Sequence, residues 1–154
     1  MKKFILVLLV LCTFVVSPAL CLEAGELVRV GITDNSFQNV LKQDVTLYAT
    51  GECDICDKAS RKILLHVSAN SDINVKNSLA GLTVTTSDRT ATLRDFVLIS
   101  PTGLIGIRGL NRKGMPAIYH GAFEIIQNKD RTGFYVVNLV EIQEYLKGVV
   151  PNEM

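Results

Sequence analysis

Apolar and polar residues alternate along most of this chain, in short runs separated by turn residues. Leu27 to Thr33 sets the pattern: Val28, Val30 and Ile32 fall on one face, with Leu27, Arg29, Gly31 and Thr33 on the other. A period of two with one strongly apolar face predicts a half-buried strand. Asp34-Asn35-Ser36 is turn chemistry, because short polar side chains bond their own backbone there. Further strands are predicted at Asp44–Thr50, Lys62–Ala69, Ile73–Val75, Leu82–Thr86 and Thr92–Ser100. Asn70-Ser71-Asp72 and Pro101-Thr102-Gly103 act as turns between them. Leu104–Arg108 is followed by a loop expected over Gly109–Pro116. Ala117–Asn128 and Thr132–Val140 then read as a closing hairpin around Lys129-Asp130-Arg131. Such spacing of short β segments predicts a mainly β protein of antiparallel strands and hairpins.

Helical periodicity enters only at the end. Over Glu141–Val149, Ile142, Tyr145, Leu146 and Val149 stand at i, i+3, i+4 and i+7, which makes one apolar face. Acids lead and Lys147 comes last, as the helix dipole favours, and Glu144 can pair with Lys147. Gly148 is a stop signal, and Pro151 forces Val150 into an extended conformation. Glu153 therefore follows a helix end, on a rigid corner. The expected fold is a set of short antiparallel strands with one short C-terminal helix, the β-rich part of an α+β domain.

The N-terminal pattern is different. Lys2 and Lys3 precede an almost continuous apolar run, Phe4 to Val16, which Pro18 breaks; Ala19-Leu20-Cys21 offers a cleavage site before Leu22. This is the form of a secretory signal peptide over 1–21, with an apolar run short for a membrane span. The expectation is an exported protein, secreted or held in the cell envelope, and membrane-attached only if the signal segment is retained. Residues 22–154 are expected to form one domain or part of one, roughly 130 residues, enough for a modest core. Loss of Lys2 and Lys3 moves the formal charge from +1 to −1. The remaining charges are interspersed, so no basic patch points to nucleic acid.

Two cysteines remain beyond residue 21, in Cys53-Asp54-Ile55-Cys56. A thioredoxin-like dithiol would open a helix in a βαβ setting, which the pattern lacks. Structural zinc takes four ligands, and His66 and His120 match no finger or ribbon spacing, so no metal site is expected. In an exported protein the pair reads as a disulfide pinning a turn, or as two inert thiols. His66, in an apolar strand, reads as a hydrogen-bonded sheet residue. No nucleophile elbow, metalloprotease motif or phosphate loop occurs, and no cofactor is implied.

The last stretch carries a family resemblance. Glu144-Tyr145-Leu146-Lys147-Gly148-Val149-Val150-Pro151-Asn152-Glu153-Met154 resembles the signature of the stage II sporulation protein D / amidase enhancer (SpoIID/LytB) family. Its members typically read E-Y-L-x-G-V-V-P-x-E-M-P after a strand ending Val-Asn, here Val137-Asn138. Tyr119-His120-Gly121-Ala122-Phe123-Glu124-Ile125 resembles the family's Y-x-G-x-hydrophobic-E-hydrophobic strand, and Val28–Ile32 its opening strand. The match is strong over 119–154 and weak from about 40 to 110. Glu141 stands where the family often has Pro.

The resemblance implies peptidoglycan remodelling: exported lytic transglycosylases that act on glycan strands stripped of stem peptides, beside a cell-wall amidase. It spans sporulation proteins and others. The residue it makes essential is Glu153. One carboxylate suffices for such chemistry, because the sugar's own 6-hydroxyl can serve as nucleophile while a single acid donates and then recovers the proton. Ordinary glycosidases need a second carboxylate. Val149, Val150, Pro151 and Met154 would supply the apolar surround that keeps the acid protonated. The family domain continues beyond this motif with Pro and an Ala/Gln-rich helical part. The chain is thus expected to be the N-terminal part of such a domain, a fragment inactive by itself. The alternative expectation is a non-catalytic β module that binds glycan or enhances an amidase.

Overall fold

The computed structural model describes residues 26–101 and 103–149. The segment 1–21, where a signal peptide is expected, and Glu153 lie outside them. Thirteen strands and one helix follow in chain order. They are β1 Leu27–Gly31, β2 Leu41–Lys42, β3 Asp44–Ala49, β4 Cys53–Asp57, β5 Ile63–Val67, β6 Asp72–Ser78 and β7 Gly81–Thr85. Then come β8 Thr90–Leu93, β9 Phe96–Ile99, β10 Ile105–Arg112, β11 Met115–Tyr119, β12 Ala122–Gln127, β13 Phe134–Glu141 and α1 Ile142–Val149. The mainly antiparallel β architecture with a single short C-terminal helix is as the alternation predicts.

Two sheets form. The first has the order β1-β13-β12-β9-β4-β5, with β2 pairing β13 beside β1; the second has the order β11-β10-β3-β6-β7-β8. Every pairing is antiparallel. Alternate residues from both sheets meet in one core. Phe96, Phe123, Ile125, Phe134 and Val136 come from the first, and Leu47, Ile73, Val75, Leu82, Val84 and Ile105 from the second. Burying these side chains is the main term holding the sheets together, at roughly 1.5–3 kcal/mol for each large one.

Three predicted boundaries shift, each for a local reason. The loop expected over 109–116 is a hairpin: β10 runs on to Arg112 and β11 starts at Met115. The turn pair Lys113-Gly114 has positive φ at both positions, 51° and 79°, the geometry whose twist matches a two-residue hairpin. Pro116 is tolerated because β11 is an edge strand, where a missing N–H removes no ladder bond. The run Ala117–Asn128 breaks into β11 and β12 at His120-Gly121, and Thr92–Ser100 breaks into β8 and β9 at Arg94-Asp95. Both breaks carry the chain from the second sheet to the first.

The Cys53–Cys56 segment is not a turn but β4, hydrogen-bonded between β9 and β5. Both cysteines are free thiols. The disulfide candidate is therefore corrected: three residues along a strand separate Cα atoms by about 10 Å, beyond the ~7 Å limit a disulfide tolerates.

Helix α1 begins where Ile142 N–H donates to the carbonyl of Glu26 at 3.0 Å, so the helix start is tied to the chain just before β1. It packs on β1 and β13. Ile142 and Tyr145 are half-buried and Leu146 stays exposed, so its apolar face is only partly covered. No helix among the described residues is long and apolar enough to cross a membrane.

Candidate functional site

A hollow of about 190 Å³ lies where α1, β1, β13 and the β11–β12 turn meet. Tyr119, His120, Asn138, Glu144, Tyr145 and Gly148 line it, with Val30, Ile118 and Val140. Two segments far apart in sequence, 118–120 and 138–148, thus form one concave surface.

Asn138 holds the turn side of this hollow. Inward positions of β13 are otherwise apolar, Phe134, Val136 and Val140, yet Asn138 is buried among them. Its Nδ2 donates to the carbonyls of His120 at 2.7 Å and Ala122 at 3.2 Å. A buried amide that satisfies turn carbonyls costs little and fixes the turn. Gly121 completes it: its φ is +86°, and a Cβ there would stand 1.9 Å from the Leu139 carbonyl oxygen. Only glycine lets the turn lie this close to β13.

Tyr119 tilts against Phe123 with ring centroids 5.5 Å apart. Burial pushes its phenol up from the ordinary value, and neighbouring Arg112 pulls the other way. Glu144 behaves oppositely. The hydrogen bond from Lys147, then that ammonium's charge, holds its carboxyl below the usual range, and His120 adds a smaller pull. Glu144 is therefore ionised at neutral pH and is a poor proton donor. Glu153 follows Gly148 by five residues and is outside the described residues. The surface can present an aromatic ring, an imidazole and polar groups to a ligand. Among the described residues it offers no protonated carboxyl.

The other chemistry-bearing residues are elsewhere. Cys53 and Cys56 are buried. Desolvation, then Asp54, pushes the Cys53 thiol up to about 11, and the same causes raise Cys56. Neither is a nucleophile at neutral pH. His66 is exposed on β5, its Nδ1 2.6 Å from Asp54 Oδ1 on β4, a cross-strand pair as its sheet position suggests. Among the described residues no three His, Cys, Asp or Glu side chains gather to hold a metal ion.

Glu124, noted in the sequence only as part of the family-like strand, is a buried charge. It lies on the outer face of the first sheet, in the row Gly31, Val137, Glu124, Val97, Cys56. Its side chain is 5% exposed, with Oε2 2.6 Å from Arg29 Nη2 and 3.8 Å from Lys58 Nζ. That oxygen makes no aligned hydrogen bond. A Glu inside the apolar run Phe123–Ile126 was the available signal. Its pairing with two cations from opposite sides reads as a charge that ties β1 and the end of β4 across the sheet.

No family model, no curated protein and no solved structure matches the chain.

Proposed function

We propose that this chain is the β-rich part of an exported SpoIID/LytB-type protein that remodels peptidoglycan. On this reading it engages glycan strands freed of stem peptides beside an amidase, and Glu153 is the acid of a lytic transglycosylase. One observation carries the reading. The two motif blocks that bear the resemblance, around Tyr119-His120 and over Glu144–Gly148, converge on the same hollow. The pairing of β12 with β13 brings them together. Tyr119 and Tyr145 offer flat apolar surface to sugar rings, and His120 and Asn138 polar atoms, the usual mixture in a small-ligand site. Glu144, ionised by Lys147, is unsuited to protonating a leaving oxygen. On this reading the proton donor is Glu153, as the resemblance implies.

The experiment is digestion of denuded glycan strands by the full-length gene product. Anhydro-sugar ends are expected, and Glu153→Gln should abolish them while strand binding persists. Unchanged release in that variant would refute the assignment of the acid. A second reading is favoured by the same ionised Glu144: the chain is a non-catalytic module that binds glycan or enhances an amidase. Strand binding with no anhydro ends from the full-length wild-type protein selects it.

A further inference from the structure

At one end of the two sheets, four turns surround an open cleft of about 920 Å³. They are the turns after β4, between β6 and β7, between β8 and β9, and between β12 and β13. Four cationic side chains line it, Lys58, Arg94, Lys129 and Arg131, against two carboxylates, Asp57 and Asp95.

Both carboxylates are already engaged by the fold. Asp57 Oδ1 accepts from the backbone N–H and hydroxyl of Ser60, each at 2.7 Å. These bonds, the backbone one first, hold its carboxyl below the usual range. Asp95 Oδ1 accepts from the backbone N–H of Gln127 at 3.0 Å. The cations divide differently. Arg131 donates through Nη1 to the Leu79 carbonyl at 2.7 Å, and Lys58 leans toward Glu124. Arg94 and Lys129 are exposed and form no salt bridge within 4 Å among the described residues, although Arg94 lies near enough for its charge to help hold Asp57 ionised.

The rim is also braced. Gln127 Nε2 donates to Asn77 Oδ1 and to the Ser78 carbonyl, both at 2.8 Å, and Asn77 Nδ2 donates to the Arg131 carbonyl at 2.9 Å. These bonds cross from the first sheet to the second, so the cleft's two walls are fixed to each other before any ligand arrives. Such bracing lowers the ordering cost of binding.

We infer that this cleft binds an anionic chain, one that carries a carboxylate or phosphate group on successive units. A single small anion does not account for it. The space is large, and Arg94 and Lys129 stand on different turns rather than converging on one point. Charged groups spaced along a polymer would meet them in sequence, with the Arg131 and Lys58 charges behind. The inference is independent of the peptidoglycan reading and survives its failure.

The test is titration of the full chain, followed by backbone amide NMR, with three probes: tetragalacturonate, tripolyphosphate and neutral chitotetraose. Saturable shifts at the turns containing Lys58, Arg94 and Lys129 are expected with at least one anionic probe, weakening as salt rises. The stronger of the two says whether carboxylate or phosphate chemistry is preferred. Arg94→Gln with Lys129→Gln should weaken that binding about tenfold. Lys76→Gln with Arg89→Gln removes the same charge from other parts of the second sheet, and should change binding less than about twofold. Absence of saturable anion binding overturns the inference. So does equal loss in the two double variants, or binding by chitotetraose as tight as by the anionic probes.

Discussion

Cys53 and Cys56 show how a single residue's meaning follows from the backbone beneath it. A C-x-x-C pair on a turn could close on itself, whereas on a strand it cannot. In a chain lacking residues 1–21, which removes Cys12 and Cys21, two titratable thiols are expected from a thiol reagent in denaturant without reductant; none would restore the disulfide. In the folded state, alkylation near pH 8 should be slow, because Cys53 titrates only at about 11. The sign follows. Folding favours the neutral thiol, so this contribution to stability is present below the unfolded pKa of ~8.5 and is lost as pH rises toward the folded value. Asn138 is the second residue whose surroundings decide its role. Asn138→Leu keeps the volume but strips two carbonyls of a donor. The expected loss is about 1–3 kcal/mol, read by urea unfolding, with displaced amide signals at His120 and Gly121.

At the scale of elements, most strands and the helix were legible because their periods differ, two against 3.6, whereas β2 and β4 were not. The turns were less legible. Positive φ at Lys113 and Arg131 is held by tertiary pairing rather than by residue type, and nothing in a lysine or an arginine announces it. The two glycine turns make a quantitative contrast. Gly114 has a φ of +79° and open space around it, so Gly114→Ala meets backbone strain alone, about 1–2 kcal/mol. Gly121→Ala adds a collision with the Leu139 carbonyl that neither strand can relieve cheaply. It should cost about 3 kcal/mol or more and deform the hollow beside it. Comparable losses in thermal or urea unfolding for the two variants would contradict this account.

In the whole molecule, the parts that are near in space come from distant points of the chain. The hollow was half legible, since its blocks carry a recognisable motif and their meeting needed only the pairing of β12 with β13. The basic cleft was not legible at all. Its cations are single residues in separate turns, and the interspersed charge along the sequence argued against any patch. Only the antiparallel pairing of β12, β9 and β4 within the first sheet brings Lys129, Arg94 and Lys58 to one end. Glu124 belongs to this scale too. Arg29 reaches it from the edge strand and Lys58 from beyond β4, and neither separation of sequence suggests the encounter.

The antiparallel pairing of β1 with β13 sets Leu27 opposite Glu141, and this has a mechanical consequence. Tension applied between Glu26 and Ile142 would load the β1–β13 bonds one at a time, as a zipper, rather than all together in shear. In a single-molecule pulling experiment, β1 should peel away at low force and leave the second sheet intact. Attachment at Gly31 and Ile142 instead would pull along the strands, load all these bonds at once and raise the rupture force. Equal forces in the two geometries would mean that contacts other than this ladder hold the edge.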